Sequence, residues 1–149
     1  MTITHMFASV PNFRDIAGPA GYATPHGPMR RGRVFRSSVL NPSSEDFTAL
    51  GLLNIAMVHD LRSQGEIDRR PDSIPPGATW LHLEVPGMLR EAVQALRTPA
   101  EVREAMLDHY RGFVCAPRKR AGIAEVLVAI SGEDRPQVFH CSEGKDRTG

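Results

Sequence analysis

Only two cysteines, Cys115 and Cys141, occur in the 149 residues, too few for a disulfide framework. A reducing, cytoplasmic setting is the default expectation, and secretion without a classical signal stays open. Positions 1–10 hold no basic stretch followed by a long apolar run, so no signal peptide is evident. No apolar run is long enough to span a bilayer. Neither sign of charge dominates: the net charge is +1, which favours neither a nucleic-acid binder nor a membrane-surface protein. Internal repeats and low-complexity segments are also missing. What remains, 41% hydrophobic and 23% charged, suits one globular domain with a real core.

The chemistry concentrates at the end of the chain. Val138-Phe139 leads into His140-Cys141-Ser142-Glu143-Gly144-Lys145-Asp146-Arg147-Thr148-Gly149. This reads as a buried strand, a polar loop and the opening of a helix. A thiol attacks phosphorus only as the thiolate, and cysteines at helix N-termini or in electropositive surroundings ionise at roughly pH 3.5–7.5 instead of ~8.5. A loop whose backbone N–H groups converge makes an anion cradle, and a helix N-terminus adds to it. Five residues separate Cys141 from Arg147, enough for the arginine to curl back and grip two phosphate oxygens with its planar fork. Gly144 allows a backbone conformation that a side chain would block.

Rival readings fail on detail. A nucleotide-binding loop needs glycine five positions before Gly144 and Ser or Thr after the lysine; Phe139 and Asp146 stand there. A zinc site needs paired cysteines or a Cys/His cluster, and His140-Cys141 alone is not one.

The segment His140–Gly149 resembles the signature loop of the protein tyrosine phosphatase superfamily, in the form found in its bacterial branch. Asn12-Phe13-Arg14-Asp15-Ile16-Ala17-Gly18 resembles that family's opening motif. Val58-His59-Asp60-Leu61-Arg62-Ser63, with Glu66 behind it, resembles its Asp-Leu-Arg segment. The resemblance implies an α/β fold with a mostly parallel central sheet flanked by helices. It implies hydrolysis of phosphate monoesters through a phosphocysteine, with no metal or organic cofactor. The implied substrates are phosphorylated proteins, on tyrosine and also serine or threonine, or phosphoinositides.

Cys141 is then the nucleophile and Arg147 the anion clamp. Ser142, Glu143, Gly144, Lys145 and Thr148 complete the loop as substrate-binding residues, with the Thr148 hydroxyl available to the thiolate. Lys145 adds a second cation that suits a highly charged head group, and Glu143 works against it. Asp60 is the candidate general acid, the alternative being that it pairs with Arg62 or caps the helix starting near Ser63. Asp146, inside the loop, is the second candidate. Arg36, before Ser37-Ser38, and Arg62 are further substrate-binding candidates; Arg30, Arg31 and Arg33 read first as a solvated basic edge. Two other functions use similar residues: a phosphate- or phosphoinositide-binding module without turnover, and sulfur transfer.

The rest of the chain supplies the frame. A Gly/Pro-rich hairpin or loop is expected over 18–32 and a strand over 34–37. A helix should start after Ser43, capped with Asp46, and end at Gly51. The apolar run 55–58 reads as a strand buried on both faces, delivering His59, Asp60 and Arg62 to the carboxyl edge where α/β sheets bind ligands. A short polar helix over 63–70 and an edge strand over 80–85 follow. Helical spacing marks three further helices: Leu89, Val93 and Leu96; then Val102, Ala105, Met106, His109, Tyr110 and Phe113; then Ile123, Val126, Leu127 and Ile130. Arg118, Lys119 and Arg120 crowd the first turn of the last one, where the dipole disfavours cations. Cys115 reads as an ordinary half-buried thiol. The resemblance also implies a helix after the loop, so residues 1–149 are expected to form a single, C-terminally incomplete domain, poorly stable and nearly inactive by itself.

Overall fold

The computed structural model describes residues 6–149. Seven strands and five helices follow in the order β1 (Arg14–Asp15), β2 (Ala23–Thr24), β3 (Gly27–Pro28), β4 (Val34–Ser37), α1 (Ser44–Gly51), β5 (Met57–Asp60), α2 (Gln64–Arg69), β6 (Thr79–His82), α3 (Arg90–Ala95), α4 (Pro99–Cys115), α5 (Pro117–Ser131) and β7 (Gln137–His140). The main sheet runs β1-β4-β7-β5-β6, and β2 pairs with β3 in a separate hairpin. Strands β4, β7, β5 and β6 are parallel; β1 runs antiparallel on the edge. The architecture is therefore α/β with a mainly parallel sheet.

Alternation along the central strands sorts side chains to the two faces. Val58 and Val138, register partners, join Phe7, Val10, Phe13, Phe35, Leu40, Leu50 and Ile55 in one core. Phe139 packs with Leu61, Val85, Val126 and Cys141 in the other, under α4 and α5. Ser37, His140, Asp60 and His82 end four parallel strands in one register row. Everything that follows these strands leaves from a common edge.

Local signals explain the helix starts. Ser43 accepts from the Asp46 N–H at 3.2 Å. Ser63 and Glu66 form a capping box at α2, as do Thr98 and Glu101 at α4. The edge strand expected over 80–85 is shorter and starts earlier, at Thr79. Beyond His82 the chain bends so that Val85 N–H bonds Leu61 C=O at 3.1 Å.

The helical faces need correction. Leu127, read as inward, is exposed, and so are Leu89 and Val93, which fall at helical spacing, and Val102 and Tyr110 on the apolar face of α4. Spacing creates an apolar stripe, but a stripe is buried only where something packs on it. Along α4 only His109 is buried. Its ring sits 4.7 Å from that of Phe113 and 5.9 Å from that of Tyr110. Lys119, unexplained by the dipole, lies with its amino group 5.0 Å from the Phe113 ring centroid and 3.0 Å from His109 Nδ1. Burial foremost, and then this cation, push the His109 pKa below its ordinary value. Among the described residues no helix is long and apolar enough to cross a membrane.

Candidate active site

The loop after β7 is braced from below and behind. Gly144 has φ +64°, and a Cβ there would lie 2.4 Å from the Ser37 carbonyl and 2.5 Å from the Ser38 nitrogen. Both the left-handed conformation and the close crossing over the end of β4 therefore demand glycine. Arg36 Nη2 donates to the carbonyls of Gly144 (2.9 Å) and Lys145 (3.2 Å) and to Thr148 Oγ1 (3.0 Å). Asn12 Nδ2 donates to the Glu143 carbonyl at 2.8 Å, and Val39 N–H to the Ser142 carbonyl at 3.2 Å.

With the carbonyls engaged outward, the amides are left over. No backbone N–H from Ser142 to Thr148 finds an acceptor among the described residues. Such a row of free donors in one loop is the kind of arrangement that can take an anion.

Cys141 is buried at the start of this loop, six positions before Arg147. Glu66 takes Arg147 end-on: Nη1 donates to Oε2 at 2.9 Å and Nη2 to Oε1 at 2.6 Å, while Nη1 also reaches the Leu61 carbonyl at 3.3 Å. Of the five guanidinium N–H donors, Nε–H and one on Nη2 find no oxygen acceptor among the described residues. These two form the lateral fork that matches an oxyanion. Burial would raise the Glu66 carboxyl, but the bonds from Arg147, Ser142 and the Ser63 backbone outweigh it and hold it well below the usual carboxylate range. Burial would likewise lower the Arg147 pKa, and Glu66 with the Cys141 sulfur turn the balance upward.

Asp60 and Arg62 form a buried pair, Arg62 lining a cavity with Glu66 and Ser142. Their side chains are 0% and 1% exposed. Arg62 Nε and Nη2 grip both Asp60 oxygens at 2.9 and 2.7 Å; Nη2 also meets Asp72 Oδ2 at 2.6 Å, and Nη1 the Arg70 carbonyl at 2.6 Å. The expected substrate contact from Arg62 is thus replaced by a sealed structural ion pair. The Asp60 carboxyl, which burial alone would raise, is kept below its ordinary pKa by Arg62 and His140. His140 Nε2 lies 3.2 Å from Asp72 Oδ2 and 3.9 Å from Asp60 Oδ1, and its Nδ1 is 3.3 Å from the Cys141 carbonyl. Asp60, Asp72 and His140 converge as metal ligands might, yet Arg62 Nη2 already occupies the place between the two carboxylates.

The other loop residues divide clearly. The Ser142 hydroxyl donates to Glu66 Oε1, so it braces the clamp. Glu143 and Lys145 side chains are 73% and 70% exposed and stand on the rim. Thr148 is buried with its oxygen accepting from Arg36, which leaves its proton free. Asp146 sits beside Arg147 in sequence and accepts from the Tyr110 hydroxyl on α4. Arg36 holds the loop rather than facing the opening.

Four residues were not singled out as site residues in the sequence: Glu66, Asp72, Tyr110 and Gly87. Glu66 had a signal, since it lies three residues after the cap Ser63. Gly87 runs under Arg147, where a Cβ would lie 3.4 Å from Cζ; nothing local marks it, Asp72 or Tyr110.

A family model described as "Tyrosine phosphatase family" matches residues 5–149. A protein of Cupriavidus necator, named for tyrosine-protein phosphatase activity, is 33% identical over 96% of this chain and 53% of its own length. The triple specificity protein phosphatase PtpB of Mycobacterium tuberculosis is 30% identical over 93% of this chain and 57% of its own length. The chain spans about half the length of these curated relatives. On the match over nearly all its residues, the chain belongs to the tyrosine phosphatase family.

Proposed function

We propose that this protein hydrolyses phosphate monoesters through a phosphocysteine at Cys141, with phosphorylated proteins as substrates. The observation that carries the reading is that, among the described residues, the amides over 142–148 and the lateral edge of Arg147 lack acceptors in the loop that begins at Cys141.

In the first step the Cys141 thiolate attacks phosphorus and the bond to the leaving oxygen breaks. The amides and the Arg147 fork carry the charge of the equatorial oxygens. Asp146 gives its proton to the leaving oxygen; it is favoured over Asp60 because both Asp60 oxygens are bound by Arg62 in a sealed site. Water then attacks phosphorus, returns a proton to Asp146, and the sulfur departs as thiolate. The Thr148 proton is available to that sulfur. Specificity is read as phosphotyrosine with room for other phosphorylated residues, in keeping with the name of the PtpB relative. The exposed Lys145 would let the rim accept more highly charged groups, phosphoinositide head groups included.

Acid quench of the protein mixed with para-nitrophenyl phosphate, followed by peptide mass spectrometry, tests this. Phosphate on Cys141 together with nitrophenol release supports the reading. Tight vanadate binding with no phosphocysteine and no release would make the site a binding module instead.

A further inference from the structure

Asp146 has two carboxylate oxygens, and the structure treats them differently. Oδ1 accepts the Tyr110 hydroxyl, the one side-chain hydrogen bond that Asp146 makes among the described residues. The Lys145 amino group is at 4.0 Å from the same oxygen. Oδ2 has no protein partner among them. A carboxylic acid carries its proton on one oxygen while the other acts as carbonyl acceptor. With the Tyr110 phenol donating to Oδ1, Oδ2 is the oxygen left to bear a proton that Asp146 transfers.

Tyr110 reaches the loop from a different element. It sits on α4, 36 residues upstream of Asp146, and α4 is anchored through His109, buried between Phe113 and the Lys119 amino group. The neighbouring residue, Arg147, is fixed independently by Glu66. The loop thus gets two separate braces, one for the clamp and one for Asp146.

We infer that Tyr110 is a positioning residue for proton transfer: it holds Asp146 so that Oδ2–H faces the leaving oxygen. This rests on the reading of Asp146 as general acid. In the step, the Oδ2–H bond breaks as the ester oxygen leaves phosphorus, the proton goes to that oxygen, and the new carboxylate keeps its bond from the phenol. Tyr110 itself exchanges no proton.

The experiment compares phenyl phosphate, whose leaving group needs a proton, with para-nitrophenyl phosphate, whose leaving group departs as an anion. Wild type, Tyr110→Phe, Asp146→Asn and the double variant are measured on both, with a thermal melt for each. Tyr110→Phe is expected to melt like wild type and to lose about 10-fold in kcat on phenyl phosphate. It should lose little on the nitrophenyl ester and keep its KM. In the Asp146→Asn background it should cost nothing more. Equal losses on both esters, or a loss that persists in the Asp146→Asn background, would overturn the role of Tyr110. Wild-type behaviour of Tyr110→Phe beside a leaving-group-sensitive Asp146→Asn would overturn that role alone. An Asp146→Asn variant that slows both esters equally would instead overturn the assignment of the acid.

Discussion

Arg62 and Arg147 are both clamped by a carboxylate, and they end in opposite conditions. Arg62 spends four donor contacts on Asp60, Asp72 and the Arg70 carbonyl, in a place 1% exposed. Arg147 spends its end-on pair on Glu66 and one bond on Leu61, and keeps Nε–H and one Nη2 hydrogen without an oxygen acceptor among the described residues. One pair engages four of the arginine's five N–H donors and ties β5 to the chain after α2. The other is deliberately incomplete. On the proposed reading, what separates a structural ion pair from an anion clamp is the greater leftover hydrogen-bonding capacity of Arg147, not residue type or local sequence.

Substitutions can break that contrast. The largest expected effect is at the nucleophile: Cys141→Ser should lower turnover of para-nitrophenyl phosphate by about 10⁴-fold or more, while binding of vanadate to the loop survives. On the sealed side, Asp60→Asn leaves Arg62 only partly compensated, and the loss should be about 3–5 kcal/mol in urea unfolding. Its rate ratio between phenyl and nitrophenyl esters, measured on the folded fraction, should match wild type. A selective loss on phenyl phosphate would restore Asp60 as the acid.

Arg147→Lys keeps the charge and removes the fork. It should cost roughly 10²–10³-fold in kcat, with a smaller effect on melting than Asp60→Asn. The weakest effect concerns acid. The Glu66 carboxyl is depressed in the folded protein, so the stability it contributes is complete above its unfolded pKa of about 4.3 and is lost as pH falls toward the folded value. Melting temperature should hold from neutral pH to about 5 and drop below about 4, and the drop should be shallower in Glu66→Gln. Equal slopes in the two proteins would mean that the Glu66–Arg147 pair adds nothing to the fold.

Much of this was legible in the residues. The strands over 34–37 and 137–140 were marked by their apolar runs and flanking breakers, and Ser43 and Gly51 framed α1 as local chemistry requires. The loop and its glycine were readable because their spacing reflects a constraint within ten residues. The partners of Arg147 and Asp146 were not, because Glu66 and Tyr110 meet the loop through separations of 81 and 36 residues. For Asp60 the sequence left two readings open, general acid or partner of Arg62, and the structure shows the pairing, which only the folded neighbourhood could decide. Helical spacing also overstated burial at Leu127, since period reveals a stripe and not its cover.

A crystal structure with tungstate bound tests the anion site most directly. The expected result is a tetrahedral ion beside the Cys141 sulfur, contacted by amides of residues 142–148 and by Nε and Nη2 of Arg147, with the Glu66 contact intact. An ion seated elsewhere, or an Arg147 that must leave Glu66 to reach it, would contradict the division of labour between the two arginines.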